Sequence, residues 1–450
     1  MRRWIFLLAV MILGTMSLPA FASELDELKA TVLQLQKRIE QLENQQKMQA
    51  TTPPQRAEAA KAPQAAEPAK PVMAGSVPGS FLVPGTDTSL KIYGNARVDA
   101  TYDFGTRSND IKNNDWSSAV FAQPLDTNSA NLERKGQFYA TARASRLGIV
   151  TSTPSKWGDL EIKLEADFNA PNDYMGELGS NGTQFRLRHA YGRWGNLLVG
   201  QTWSNFMDLR SYPETVDFNP TGDVALIRQT QLRYTLPLGS SSLAFSVENP
   251  ESLSSIGAPA ADFDRVPDFV VNWSLHGEKA HISARAATME YHNDFRSKRG
   301  YAFGLSGSSR LGAGTLVASI QGGDGIGRYM FNSILQGATD TGTDLRLWSA
   351  LGWHIGYTLP WSAALRSNFI VSQTYFGTDD ASNTFRRKFI GIVDELVPNK
   401  RIDQASVNLL WGITKNVEAG IEYSWGRRFT FADEEGTQHR INTMIQYNFF

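Results

Sequence analysis

Segments of about ten residues, in which apolar and polar side chains alternate, recur along the chain from Leu90 to Phe450. In the first of them, Ile92, Val98 and Tyr102 share one face with small residues, while polar residues occupy most of the other face. Successive side chains of a β-strand point to opposite faces, so one face can meet lipid and the other water. The pattern predicts an all-β protein, a transmembrane antiparallel β-barrel whose wet face encloses a pore.

The barrel is predicted to have about 16 strands, an even number, and to be porin-like. The strands should begin near Leu90, Gln137, Leu160, Gln184, Asn196, Leu226, Leu243, Phe269, His281, Tyr301, Leu316, Leu345, Ala363, Gln404, Val417 and Arg440. Short turns alternate with long polar connections, as periplasmic turns and extracellular loops do in outer-membrane barrels. We therefore expect the long connections to face outward, at residues 105–134, 170–183, 204–223 and 322–344.

The amino terminus has the features of a secretory signal peptide. Arg2 and Arg3 precede an apolar run at residues 4–13, and the small-residue site Ala20-Phe21-Ala22 follows. We therefore assign residues 1–22 to a signal peptide that is removed on secretion. No other stretch approaches the roughly 18 consecutive apolar residues of a membrane helix. A membrane location then requires a closed barrel, because lipid offers no partners to open backbone groups.

Residues 23–49 are predicted to form a short coiled-coil helix in the periplasm. Apolar residues alternate there at spacings of three and four, the a and d pattern of a heptad, at Leu25, Leu28, Val32, Leu35, Ile39 and Leu42. Such a short helix is marginal alone, so we expect it to join copies of the chain. Its β-branched a positions favour a dimer, whereas porins are commonly trimers, and the chain number stays open. A lone amphipathic helix on the periplasmic face or the peptidoglycan is the alternative.

The remaining chain divides into a linker and one large domain. Residues 50–80 are rich in Pro and Ala and lack an apolar period, which predicts an extended linker. Residues 81–450 would form the barrel, multi-pass in the bacterial outer membrane. The absence of cysteine excludes disulfides and thiolate sites, and a net charge of -1 gives no reason to expect nucleic acid as a partner. The histidines lack metal-site spacing, so neither a metal nor a cofactor is predicted.

Arginines recur on the polar face of the predicted strands, which would line the lumen. They are Arg97, Arg143, Arg186, Arg188, Arg233, Arg285, Arg346 and Arg366. On the lipid face at mid-bilayer, an arginine would cost about 2–4 kcal/mol. A guanidinium group stays charged and can bind a carboxylate through two parallel hydrogen bonds. We therefore predict that these arginines line the pore and bind anions.

Other ionisable residues share the lumen face. The acidic ones are Asp99, Asp103, Glu161, Glu165, Asp167, Glu418 and Glu422. Any single arginine could therefore simply be paired with a carboxylate across the wall, and this structural interpretation stays open. His281 and His354 could modulate the pore near neutral pH, although an inert role is the simpler interpretation.

The connection after the fifth predicted strand is more apolar and aromatic than a solvated loop, and we expect it to fold inward as a constriction loop. Phe206 would belong to it, although it could also merely pack the loop against the barrel. Asp208, Glu214 and Asp217 would face the arginines across the narrowest part of the pore. Such a transverse field orients a dipolar or dianionic solute and leaves it free to depart.

The last predicted strand points Ile441, Ile445, Tyr447 and Phe449 outward, with one further residue, Phe450, beyond the pattern. An aromatic residue at the end of such a strand resembles the signal that the outer-membrane barrel assembly machinery reads. That machinery and outer-membrane lipid are therefore predicted partners.

Several stretches resemble the DcaP-like outer-membrane porins. The most specific is FRLRHAYGRWGNLLVGQTWSNFM at residues 185–207, followed by PETVDF at residues 213–218. SRLG at residues 145–148, TSTP at residues 151–154 and LKIYG at residues 90–94 also resemble that family. The likeness extends over nearly the whole mature chain. It implies a homotrimer of sixteen-stranded barrels that passes small carboxylic acids, dicarboxylates in particular, whereas the arginines indicate only anions in general.

Two other functions are possible for an outer-membrane barrel. A membrane-embedded hydrolase would need a Ser or Asp and a His that converge near one rim, and no segment indicates this arrangement. A receptor or adhesin would devote its length to loops or to a plug domain. We therefore predict a passive diffusion channel rather than an enzyme.

Overall fold

The computed structural model describes the barrel region and parts of its loops. The described residues are Lys37, 73–104, 136–170, 184–219, 221–251, 264–293, 295–333, 337–377, 399–431, 433 and 435–449. The chain divides into two compact units, Met1–Pro71 and Val72–Phe450. The predicted signal peptide, nearly all of the predicted coiled coil and most of the linker lie outside the described residues. No described helix is both long and apolar enough to cross a bilayer.

Sixteen antiparallel strands form the wall of the second unit. They are β1 (Ser89–Asp103), β2 (Gln137–Thr141 and Arg146–Thr153), β3 (Leu160–Asp167), β4 (Arg186–Trp194), β5 (Leu197–Trp203), β6 (Arg228–Leu238), β7 (Ser241–Glu248), β8 (Asp268–His276), β9 (Ala280–His292), β10 (Ser297–Leu311), β11 (Gly314–Asp324), β12 (Ser349–Pro360), β13 (Leu365–Gly377), β14 (Asn399–Gly412), β15 (Val417–Thr430) and β16 (Glu435–Phe449). The two segments of β2 both pair with β1, so they count as one interrupted strand.

The first and last strands close the sheet into a barrel. β1 pairs with β16 in a continuous register from Gly94 opposite Phe449 to Asp103 opposite Arg440. Every other neighbouring pair of strands is consecutive in the chain and antiparallel. The prediction of a closed antiparallel barrel of sixteen strands is therefore confirmed.

The alternation along each strand sorts side chains between the two faces of the wall. On β10, Tyr301, Phe303 and Leu305 are exposed on the outside, whereas Ala302 and Ser306, at the alternate positions, are buried. Other strands likewise expose large apolar side chains at every second position. A surface of this kind is stable only against lipid, since it would otherwise leave a continuous apolar band in water.

Most predicted strand starts lie within four residues of the observed ones. β14 and β16 begin five residues before the predicted starts near Gln404 and Arg440, and a third start was placed in the wrong element. The strand predicted to begin near Leu345 begins at Ser349 instead. Leu345–Leu347 belongs to a separate short hairpin with Ala338–Asp340, in the connection between β11 and β12. The alternation simply continues through the hairpin into the strand, so the pattern alone does not separate them.

Part of the lumen is filled by an apolar core, here called the inner core. Two connections contribute to it, residues 204–227 and the described part of residues 325–348, together with inward side chains from β8–β10 and β12–β14. Its buried members are Phe206, Ala225, Val270, Ala287, Met289, Tyr291, Ala302, Ile326, Tyr329, Met330, Ala338, Leu345, Ala350, Phe376 and Ile402. The open part of the lumen is therefore displaced from this side of the wall.

Candidate functional site

The connection between β5 and β6, residues 204–227, is here called the inner loop, and all of it except Pro220 is described. It folds into the barrel directly after β5. Phe206 has 0% exposure, and its carbonyl oxygen accepts a hydrogen bond of 2.8 Å from Arg285 on β9. The backbone N–H of Asn205 donates to Glu248 on β7 at 2.8 Å. The start of the loop is thus fixed against β7 and β9.

Asp208 joins the inner loop to β9 and β10. Its carboxylate lies 2.9 Å from Nε2 of His281 and accepts hydrogen bonds of 2.6 Å from the hydroxyls of Ser211 and Ser306. Burial disfavours the charged form, but the two hydroxyls and the nearby His281 and Arg285 outweigh it. Together they hold the pKa of Asp208 below its ordinary value. Asp208 is therefore an ionised anchor of the loop.

His354 on β12 provides a second anchor. Its Nδ1 lies 2.7 Å from Oδ2 of Asp223, and its Nε2 lies 2.9 Å from the carbonyl oxygen of Ser211. The side-chain amide of Gln321 on β11 also donates to the carbonyl oxygen of Asp223. Two parts of the loop that are distant in sequence are therefore tied to the same histidine.

The second half of the loop is bound to β13, β15 and β1. Arg366 donates to Glu214 at 2.7 Å, and Glu422 accepts the backbone N–H of Val216 at 2.9 Å. Arg97 donates to the carbonyl oxygen of Val216 at 2.8 Å. The inner loop thus follows the inside of the wall from β7 to β1 and leaves the β2–β6 side facing it.

Two of the acidic residues of the loop, Asp208 and Glu214, differ from the arrangement expected from the sequence. Asp208 and Glu214 bind His281 and Arg366 on the strands that the loop lies against, rather than facing arginines across the pore. Oδ1 of Asp217 accepts the backbone N–H of Asn219 in the same loop at 3.0 Å, and the predicted position of Asp217 opposite the arginines stays a prediction. Alternation indicates on which side of a strand a residue lies, but it gives no direction for side chains in a loop.

Four of the arginines on the β2–β6 side of the wall lie near one another and are here called the arginine cluster: Arg146, Arg186, Arg188 and Arg228. Arg188 lies between two carboxylates of β3, 2.7 Å from Glu165 and 2.7 Å from Asp167. Arg186 binds Asp167 at 2.8 Å, and Arg146 lies 3.4 Å from Glu165. Among the described residues, three of these guanidinium groups thus share two carboxylates, and Arg228 adds a fourth positive charge. This side of the wall has an excess of positive charge.

Arg228 and Arg146 were not predicted from the sequence. Arg228 stacks on Trp203, with its guanidinium carbon 3.5 Å from the ring centroid, and it lies within electrostatic reach of Arg188. No carboxylate of the described residues pairs with it. Along β6, Arg228 falls on the same set of alternate positions as Thr230 and Leu232, which are exposed on the outside. Alternation along the strand would therefore place it on the lipid face. Its contact with Trp203 depends on the register between β5 and β6, which the sequence alone does not give.

Tyr212 brings the inner loop close to the arginine cluster. Burial raises the pKa of its hydroxyl well above the ordinary value, as does the nearby Asp217, while Arg228 and Arg188 act in the opposite direction. The hydroxyl is therefore neutral. The lumen beside Tyr212 has the fixed inner loop on one side and an excess of guanidinium groups on the other.

Three further predicted arginines bind polar groups of the wall. Arg97 pairs with Asp99 at 2.6 Å, and Arg143, in the interruption of β2, donates to the hydroxyl of Tyr139 at 2.7 Å. Arg233 donates to a glutamine side chain and to a backbone carbonyl nearby. These three side chains therefore also serve the structure.

The last three predicted arginines lie away from the cluster. Arg285 and Arg366 hold the inner loop, as described above. Arg346 lies in the short hairpin between β11 and β12, where its half-exposed side chain pairs with Asp344 at 2.8 Å. It is therefore not part of the barrel wall.

A family model described as DcaP outer membrane protein matches residues 19–449 of the chain. Among solved structures, the outer membrane channel DcaP of Acinetobacter baumannii is similar, with a TM-score of 0.69 and 24% identity. The match covers 84% of this chain and 100% of that one. No curated protein sequence matches this chain significantly.

An anion-selective porin from Comamonas acidovorans has a similar fold, with a TM-score of 0.53 and 11% identity. That match covers 80% of this chain and 100% of the porin. At these identities the structural matches bear on the fold alone. The family match, in contrast, extends over the inner loop and the arginine cluster together.

Proposed function

The chain belongs to the DcaP outer membrane protein family, and we propose that it is a passive diffusion channel that prefers small anionic solutes. The family and the barrel make it an outer-membrane channel of the porin type. The preference for anions rests on a separate observation, the excess of guanidinium groups over carboxylates in the arginine cluster.

The excess positive charge of the arginine cluster should attract anions into the lumen beside the inner loop. Charge near a low-dielectric wall is poorly screened, so an excess of one sign raises the local concentration of ions of the other sign. Arg186 and Arg146 keep 34% and 28% of their side chains exposed, so they can reach a solute. Both are already held by carboxylates, which limits how tightly they grip an anion. Weak contacts of this kind favour passage over capture.

Small dicarboxylates are the proposed preferred solutes. Two carboxylate groups on one molecule can contact two guanidinium groups at once, and each contact is a charge-assisted hydrogen bond. The cluster offers several such groups on neighbouring strands, whereas an uncharged solute gains nothing from them. The likeness to DcaP-like porins also supports this solute class.

We also propose a homotrimeric assembly in outer-membrane lipid, with the barrel inserted through recognition of its last strand. The heptad pattern at residues 23–49 supports an additional periplasmic coiled coil between chains. In this arrangement the linker at residues 50–80 connects the helices to the barrels.

Ion selectivity in a planar bilayer tests the proposal. Under a salt gradient, purified protein should give stepwise currents whose reversal potential indicates anion preference. The double variant Arg146→Gln/Arg186→Gln should reduce that preference, because it removes two lumen-facing charges. Arg427→Gln is the matched control, since Arg427 has similar exposure but lies on the outer face of β15, next to Phe429. Cation selectivity of the unaltered protein would refute the proposal, and a complete lack of current would favour a receptor or hydrolase barrel.

Solute uptake into vesicles tests the dicarboxylate preference. Succinate should enter faster than an uncharged sugar of similar size, and neutralising Arg186 and Arg188 should slow succinate more than the sugar. If both solutes slow equally, the arginines serve the shape of the pore rather than its preference.

A further inference from the structure

Two histidines of the wall hold the inner loop, and both are almost fully buried. His281 on β9 and His354 on β12 have 2% and 1% exposure. His281 contacts the loop at Asp208, and His354 contacts it at Ser211 and Asp223. These contacts fix the loop in its first third and near its end.

Each of these rings has a hydrogen-bond acceptor at both nitrogens. For His281, Nε2 lies 2.9 Å from the carboxylate of Asp208 and Nδ1 lies 3.1 Å from the carbonyl oxygen of Leu275. For His354, the acceptors are the carboxylate of Asp223 and the carbonyl oxygen of Ser211. A neutral imidazole carries only one N–H, whereas the imidazolium ion carries two. Only the charged form of each ring can donate both hydrogen bonds.

His276 differs from His281 and His354 because only one of its ring nitrogens needs to donate a hydrogen bond. Its ring stacks on that of His281, with centroids 5.6 Å apart. However, Nδ1 of His276 faces a guanidinium nitrogen of Arg210 at 3.1 Å, so this nitrogen must accept. The hydroxyl of Ser242 lies at Nε2. His276 is therefore satisfied as a neutral ring, unlike its neighbour.

We propose that His281 and His354 are positioning residues, which hold the inner loop against the wall only while both rings are doubly protonated. On loss of a proton, each ring keeps one donated hydrogen bond and presents a lone pair to the other acceptor. The loop then loses part of its attachment, and the narrow part of the pore widens and fluctuates. The expected change in current rests on the proposed channel function, whereas the expected release of the inner loop does not depend on it.

The charged surroundings of the two rings are consistent with this behaviour. His281 faces Asp208, an anchor of depressed pKa, as well as the neutral ring of His276. Arg285 acts electrostatically on both Asp208 and His354, and Asp223 is the carboxylate nearest to His354. Each imidazolium therefore has one carboxylate partner, and one arginine lies between the two pairs.

Spin-label mobility on the inner loop tests the inference without any measurement of current. The chain contains no cysteine, so Leu209→Cys gives a single labelling site on an exposed loop residue. In refolded protein, the label should be immobile in acid and become mobile as the pH is raised. Open-channel current noise should rise over the same interval.

Variants of the histidines make the test specific. In His281→Gln/His354→Gln the label should be mobile at every pH, and the transition should disappear. His439→Gln is the matched control and should retain the transition, because His439 bonds Tyr423 away from the loop. If the double variant fails to refold, Asp223→Asn alone should move the transition to lower pH, since it removes the charge that stabilises the charged ring of His354.

The possible outcomes separate this inference from the proposed function. A label that stays immobile throughout the pH series would overturn it, and so would an unchanged transition in the double variant or in Asp223→Asn. Cation selectivity combined with the expected change in mobility would refute only the anion preference.

Discussion

Arg188 illustrates how single residues in this barrel combine structural and functional roles. Its side chain is almost fully buried, and it bonds Glu165 and Asp167, two carboxylates on the same strand. Two neighbouring acids on one face would repel each other without a cation between them. Arg188 thus neutralises the wall, while the more exposed Arg186 and Arg146 supply the charge that a solute meets.

Replacing Arg188 should therefore destabilise the barrel more than replacing Arg186. Arg188→Gln removes the cation that binds two buried carboxylates, and we expect a loss of about 3 kcal/mol in the free energy of unfolding. Arg186→Gln, whose side chain is one-third exposed, should cost about 1 kcal/mol or less. Urea unfolding in detergent micelles, followed by tryptophan fluorescence, gives both values. Equal losses would mean that burial of Arg188 has no energetic consequence.

At the residue scale, the sequence indicated on which side of the wall a side chain lies, but not which residues it contacts. Alternation correctly separates buried from exposed positions along β10, such as Ala302 and Phe303. It did not identify Arg228, which is the first residue of β6 and falls on the alternate positions that face outward along the rest of that strand. Partners depend on the register between strands and on the path of loops, and neither is encoded in the alternation of one strand.

At the scale of elements, the inner loop is held by packing as well as by polar bonds. Phe206 lies edge-on to Tyr329, with ring centroids 5.5 Å apart, and beneath the guanidinium group of Arg285. Tyr329 comes from a different connection, that between β11 and β12. Two loops therefore support each other inside the barrel.

Phe206→Ala should loosen the packing of the inner loop against Tyr329 and Arg285. Truncation of a fully buried phenylalanine typically costs about 3–5 kcal/mol, through lost contacts and a cavity. We expect a lower unfolding midpoint in urea and a larger single-channel conductance. Phe303→Ala, on the exposed outer face of β10, is the control and should leave conductance unchanged. Unchanged conductance in Phe206→Ala would indicate that the loop keeps its position without this side chain.

The sequence predicted the elements of the wall better than the elements inside it. Strand starts agree closely because a strand that separates lipid from water must alternate, and the alternation is visible in a single chain. The aromatic content of the inner loop indicated that it folds inward. The hairpin at Leu345–Leu347 was mistaken for the start of β12, because inside the barrel a short strand has the same pattern as the wall.

At the scale of the whole molecule, a buried ion pair lies where the two ends of the sheet meet. Asp103 on β1 accepts hydrogen bonds of 2.6 Å and 3.0 Å from Arg440 on β16, and one of 2.7 Å from Gln438. The two strands are at opposite ends of the domain in sequence. The pair therefore forms only when the barrel is complete.

Asp103→Ala should impair closure of the barrel. It removes a buried carboxylate that accepts three hydrogen bonds, and we expect a loss of about 3 kcal/mol in unfolding free energy. Glu435→Ala breaks an exposed pair with Arg427 and should cost less than about 1 kcal/mol. The temperature at which the folded band disappears on a semi-native gel measures the difference. A similar temperature for both variants would contradict a role for Asp103 in closure.

The inner core has a consequence for how such a channel can change over time. It is protein packed against protein, whereas the outer belt is protein packed against lipid, and the two share no side chains. Substitutions in the inner core can resize the passage while insertion into the bilayer proceeds as before. Selection on passage through the channel and selection on membrane biogenesis therefore act on separate sets of positions in one chain.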